Sequence, residues 1–157
     1  MGRAKARLQD CSTVKDAMAA ATAGLRTAVT SMHDATEGGV LGALSELSSA
    51  CGLPVIVETE KVRVSEEASL VCEAFGLDPL TTLSEGSLIV TCRPRAVAQV
   101  LEALAEARVE SSEVGRIGGR REGGLWVARR GSEPRRAEPG PDGYWEAYSR
   151  ALRQGWS

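Results

Sequence analysis

Apolar positions along the chain recur at every third or fourth residue in some segments and gather into short β-branched runs in others, which predicts helices interleaved with strands. Residues 13–23 are alanine-rich, place Val14, Ala17, Met18 and Ala21 on one helical face and meet a stop at Gly24. Residues 28–32 predict a short strand. Val40, Leu41, Leu44, Leu47 and Ser48 then follow helical spacing up to Cys51-Gly52. Residues 53–58, with β-branched Val55, Ile56 and Val57 behind Pro54, predict a second strand. Ser65 with Glu66 and Glu67 supplies a cap and first-turn acids for a helix that turns Ala68, Val71, Cys72 and Phe75 inward and ends at Gly76. Leu77-Asp78-Pro79-Leu80 closes that unit as a turn.

Leu88-Ile89-Val90-Thr91-Cys92 is the strongest strand signal, and Pro94 opens a long helix with Val97, Val100, Leu101 and Leu104 at core spacing. Residues 112–117 and 125–128 predict two further strands separated by a glycine- and arginine-rich turn at 118–124. Residues 133–143 are dense in proline, glycine and charge and read as an exposed connector. A terminal helix over 144–152 would offer Tyr144, Trp145, Tyr148 and Leu152 to another surface. The fold class is therefore α/β (α+β), a mixed sheet covered by helices on at least one side. Residues 1–12, basic and polar, read as a linker or as residues added to the natural chain; the domain proper spans 13–130, and 131–157 form the connector and last helix.

Composition narrows the classes. A chain of 157 residues that is 43% hydrophobic and 25% charged suffices for one ordinary core. A net charge of -2 supplies no basic footprint, so nucleic acid is not an expected partner. No apolar run approaches the ~20 residues that span a bilayer, and the first residues lack the apolar core of a signal peptide; no membrane partner and a cytoplasmic location are expected. Cys11, Cys51, Cys72 and Cys92 lack metal or redox spacing and read as reduced, mostly buried thiols.

The stretch that carries chemistry is Met32-His33-Asp34-Ala35-Thr36-Glu37-Gly38-Gly39, a polar, glycine-bearing turn between a strand and a helix. Such a junction leaves backbone N–H groups unpaired at a helix start, where donors and dipole together favour an anion such as phosphate. It also holds the chain's only histidine.

Those eight residues, with Cys72-Glu73-Ala74-Phe75-Gly76-Leu77-Asp78-Pro79-Leu80 and Ser84-Glu85-Gly86-Ser87-Leu88, resemble the C-terminal domain of the AIR synthase superfamily, most of all its hydrogenase-maturation (HypE-like) branch. The resemblance covers residues 12–130. It implies an ATP-dependent enzyme of ligase, dehydratase or kinase type, as in purine biosynthesis, working as a homodimer on a small-molecule substrate. It also implies a partner domain, N-terminal and absent from this chain, that supplies much of the ATP and Mg2+ site; this domain alone is expected to hold neither, and to show little or no turnover. By resemblance, the turn faces the interdomain cleft, with Thr36, Glu37, Gly38, Gly39, Glu85 and Gly86 as phosphate- or ligand-binding residues and Asp34 and His33 as catalytic candidates. No metal is assigned to this chain's own residues. Ala35 stands where the family most often has proline, leaving the turn less rigid. The chain's last residues, Arg153-Gln154-Gly155-Trp156-Ser157, carry no cysteine like the reactive one that ends the hydrogenase-maturation enzyme, so cyanide-ligand synthesis is not expected.

Plainer readings stand beside these. Asp34 or Thr36 could simply cap the helix, with Glu37 returning a bond. His33 could be a general base or a hydrogen-bonded structural imidazole. Asp34 and Glu37 alone make a poor magnesium site, because that ion keeps several waters and leans on substrate phosphates. Glu85-Gly86 could be only a turn before a core strand. Arg120, Arg121, Arg129, Arg130, Arg135 and Arg136 could bind phosphate or form a solvated face. Tyr144, Trp145, Tyr148 and Trp156 suggest packing on this domain or a partner. Functionally, the alternative is a stand-alone, non-catalytic ligand-binding or assembly module.

Overall fold

The computed structural model describes residues 11–129 and 131–155. In chain order these form α1 (Val14–Thr22), β1 (Val29–Ala35), α2 (Gly39–Cys51), β2 (Pro54–Glu58), α3 (Glu66–Phe75), β3 (Ser87–Cys92), α4 (Val97–Glu106), β4 (Gly115–Ile117), β5 (Gly124–Ala128), β6 (Arg135–Ala137) and α5 (Tyr144–Arg153). The class is mixed α/β, as the alternating pattern implies. The strands, however, divide into two sheets: an antiparallel pair β1-β3 and a four-stranded sheet ordered β4-β2-β5-β6, in which only β2 and β5 run parallel.

The two-stranded sheet separates two apolar clusters, and the period-2 alternation of its side chains decides which residue serves which. Val90 and Cys92 on β3, with Met32 on β1, pack on one cluster, built from Ala19 and Ala20 of α1, Ala23 at its C-terminal cap, Ala28 and Val29, and Val100 and Leu104 of α4. Ile89, on the other face, packs on a second cluster of Leu41, Leu44, Val55, Val57 and Leu125 that joins α2 to β2 and β5. Ser48 pins α2 to this sheet from within: its buried hydroxyl donates to Leu53 O at 2.5 Å and accepts from Gly124 N at 2.7 Å.

Several sequence expectations are corrected. On α1 the buried residues are Ala19 and Ala20, joined by Ala23 at the C-terminal cap, while Val14 and Met18 are each 67% exposed; methyl-sized side chains let the helix lie close on β1 and α4, where larger ones would hold it off. On α3 only Cys72 of the predicted inner face is buried, and Ala68 and Val71 face solvent. Residues 118–124 do not join a hairpin, because β2 lies between β4 and β5. The connector is not merely exposed, since its residues 135–137 form the edge strand β6 on β5. One of the four thiols is buried: Cys72 lies inside, Cys92 is half-buried, and Cys11 and Cys51 are exposed. Burial, aided by Asp78 and by Glu113 respectively, pushes the Cys72 and Cys92 thiols up, which keeps both protonated at neutral pH.

Strand β1 also runs further than the pattern suggests, through His33 and Asp34 to Ala35, because its ladder with β3 continues to the Ala35–Ser87 pair. The bend proper is thus residues 36–38, and α2 begins on a left-handed Gly38 with no side-chain cap. Gly39 follows at φ +66, and a Cβ there would lie 2.6 Å from Leu80 O and 2.7 Å from Thr82 O. Both conditions demand glycine. Gly52, at φ +69, ends α2 with open space around it. Gly39→Ala should therefore cost about 3 kcal/mol or more in urea unfolding, combining the αL penalty with overpacking. Gly52→Ala should cost only about 1 kcal/mol; equal losses would refute the assignment of Gly39 to close backbone packing.

Candidate functional site

The bend is assembled from three distant segments. Residues 80–84 cross over it and bond its backbone: Leu41 N donates to Leu80 O at 3.0 Å and Ser84 N to Thr36 O at 3.1 Å, while Gly39 N turns inward to Thr36 O at 3.2 Å. The Ala35–Ser87 pairing sets Glu85 and Gly86 directly beside Thr36, so the first and third sequence motifs meet in space. Gly86, at φ +90, makes the turn into β3, and Glu85 is exposed. The second motif joins through its end, since residues 80–82 follow Asp78-Pro79, and Asp78 holds that turn by accepting from Leu80 N at 2.9 Å.

The third segment comes from the C-terminal side and was not foreseen. Asp142 accepts from Gly38 N at 2.9 Å, from the Thr82 hydroxyl at 2.9 Å and from Tyr144 N at 2.8 Å, and the Leu83 amide also donates to it. A carboxylate of the chain itself thus occupies the anion position at the start of α2. Partial burial pushes its acidity the other way, but the donors from Gly38, Tyr144, Thr82 and Leu83 outweigh it and hold the carboxyl below the usual 3.8. Nearby, Trp145 Nε1 donates to Glu37 Oε1 at 3.0 Å. An Asp-Gly pair ahead of an amphipathic helix signals a local turn, which the Tyr144 bond confirms; nothing in the sequence signals a contact with a glycine 104 positions earlier.

The predicted catalytic pair separates. Being neighbours on a strand, His33 and Asp34 project to opposite faces. His33 Nε2 meets Glu46 Oε2 on α2 at 2.8 Å, with 37% and 67% of those side chains exposed. Asp34 Oδ1 accepts from the Thr13 hydroxyl at 2.8 Å, just before α1. They cannot act on one atom together. Neither Asp34 nor Thr36 caps α2 through its side chain, and Glu37 turns to Trp145 instead of closing a capping box.

An open groove of about 530 Å3 runs along α2 beside the bend, between Glu37, Gly42, Ser45 and Glu46 on one wall and residues 139–142 on the other. Its one anion-favouring donor, the Gly38 amide, is already taken by Asp142. Glu37 and Glu46 would repel a polyphosphate unless a cation held elsewhere neutralised it. Among the described residues, no three His, Cys, Asp or Glu side chains converge as a metal site. The arginines make no single phosphate pocket: Arg121 lies 4.8 Å over the Trp126 ring and pairs with Glu133, and Arg136 reaches Glu122 and Glu138. Arg129 and Arg135 rim a second groove, of about 600 Å3, floored by Leu41, Leu80 and Val127. Arg130 and Trp156 lie outside the described residues. No helix among those residues is long and apolar enough to cross a membrane.

Taken together, the fold and bend define a mixed α/β domain whose glycine-paired strand-to-helix junction is walled by a facing loop. Residues 3–128 match the model of the family described as AIR synthase related protein, C-terminal domain, and the chain belongs to that family. It is similar to carbamoyl dehydratase HypE of Escherichia coli, at 32% identity over 118 residues that cover 72% of this chain and 35% of that protein. The crystal structure of E. coli HypE, a hydrogenase maturation protein, superposes with a TM-score of 0.71 at 26% identity, covering 84% of this chain and 41% of the other. The hydrogenase maturation protein HypE in complex with ATP shares the fold, with a TM-score of 0.62 at 23% identity over 73% of this chain and 36% of that one. This chain spans about a third or less of the length of the curated relatives it matches.

The depressed Asp142 carboxyl has a pH consequence. The unfolded chain takes up this proton at a higher pH than the folded one, so the contribution is present above the ordinary carboxyl range and is lost as pH falls through the folded value. In thermal unfolding between about pH 5 and pH 3, the wild type should lose stability more steeply than Asp142→Asn. Parallel pH curves would show that ionisation of Asp142 is not linked to folding.

Proposed function

We propose that this chain forms the substrate-side wall of an ATP-dependent enzyme of the AIR synthase type, completed by an ATP-binding domain in a longer protein or a companion chain. The observation that carries this reading is the meeting of the 32–39 and 84–88 motifs at one bend, inside a domain that belongs to the family and spans a minor part of its relatives. In this arrangement the second domain holds ATP and Mg2+, and its cation offsets Glu37 and Glu46. This chain contributes Thr36, Glu37, Gly38 and Gly39, with Glu85 and Gly86 on the facing loop. Asp34, open on its own face, orients the substrate or a metal-bound water, whereas His33 serves through Glu46 in a structural role.

The reaction is of ligase, dehydratase or kinase type on a small molecule, assembly is homodimeric through the companion domain, and the cytoplasm is its setting. Phosphoryl transfer depends on metal clamping and positioning, so half a site should turn over little. A non-catalytic assembly module is favoured instead by the stripe of Trp145, Tyr148 and Leu152, all about half exposed on α5.

Calorimetric titration separates the two readings. Magnesium-ATP should give saturable heat with the chain joined to its ATP-binding domain and none with the 157-residue chain; no heat from the joined protein would reject the enzymatic reading. In the joined protein Asp34→Asn, at an exposed position, should leave the melting temperature within about 2 °C yet lower activity about tenfold or more. Unchanged activity would remove Asp34 from the site.

A further inference from the structure

The C-terminal segment lies beyond the residues that match the family, yet it bonds the bend directly, through Gly38 N and the Glu37 carboxylate. Its attachment is unusual in kind. Helix α5 buries only Ala147 and Ala151, turning Trp145, Tyr148 and Leu152 toward solvent, and it shares no extended backbone packing with any strand or other helix. It is held by side-chain bonds: Asp142 to Gly38 and Thr82, Trp145 to Glu37, and the Arg150 guanidinium to Phe75 O at 3.0 Å. The segment leading to it, Pro139-Gly140-Pro141, is one wall of the groove along α2, and Gly140 has open space around it. A helix seated by a few polar contacts, on a strap with few buried apolar atoms, belongs to the part of a structure that opens locally before the core does.

We propose that residues 138–155 are a detachable latch, closed by Asp142, that covers the Gly38 side of the bend and opens as a unit. While it is docked, the Gly38 amide and one oxygen of Glu37 are taken, so neither is available to a ligand. Opening frees both and removes a wall of the groove, leaving β2, β5 and α2 in place because their packing does not involve α5. Release thus precedes use of the bend, which makes the segment an internal inhibitor of its own domain. What the latch shields rests on the proposed function; that it opens rests on its contacts alone.

Amide hydrogen exchange on the 157-residue chain tests this. Asp142→Ala should raise exchange about tenfold or more at Gly38 and together across 144–153, with β2 and β5 amides unchanged. Asp142→Asn, which keeps the shape and one acceptor oxygen, should give a smaller rise over the same residues. Wild-type protection of α5 in Asp142→Ala, or an equal rise in the β2 and β5 ladder, would overturn the latch. Absence of magnesium-ATP heat from the joined protein would instead remove the functional reading and leave the exchange result standing.

Discussion

The approach of two backbones sets the architecture of this domain. Residues 80–84 lie on the bend between β1 and α2 closer than any side chain at position 39 would permit, and they trade hydrogen bonds with Thr36 and Leu41. Gly39 is therefore a packing residue first. In a family where such glycines invite a ligand-based explanation, its missing Cβ is already accounted for by the neighbouring loop, and the amide at Gly38 is the one that turns toward the groove. Because the same crossing loop carries Thr82 and leads into β3, the bend, the facing turn at Glu85-Gly86 and the Asp142 carboxylate all take their places from it.

The thin β1-β3 ladder has a second consequence. With two strands it has no core of its own and serves as a partition, handing alternate side chains to the alanine-rich cluster under α1 and α4 and to the aliphatic cluster under α2. The same alternation sends His33 toward α2 and Asp34 toward the start of α1. Adjacent residues that look like an acid–base pair in one dimension are thus assigned to different surfaces, His33 to Glu46 and the exposed Asp34 to the Thr13 hydroxyl. Electrostatics add a further constraint: Glu37, Glu46 and Asp142 crowd the groove by the bend and give it a negative lining.

Much was legible from residue order because it rests on local physics. Glycine stops at 24, 52 and 76, the Ser65 cap, the proline-led turn into the fourth helix and the β-branched runs of β2 and β3 all express short-range sterics and hydrogen bonding, and they fall where expected. The three motifs that mark the family were readable for the same reason, each being a short turn with its own residue requirements. Tertiary structure alone decided the rest. Pairing partners placed β2 between β4 and β5 and extended β1 through the supposed turn, and distance of approach chose alanines over Val14 and Met18 for the core. Asp142 reached Gly38 across 104 positions of sequence. Such contacts depend on where the chain returns in space, and no local rule of spacing or propensity encodes that return.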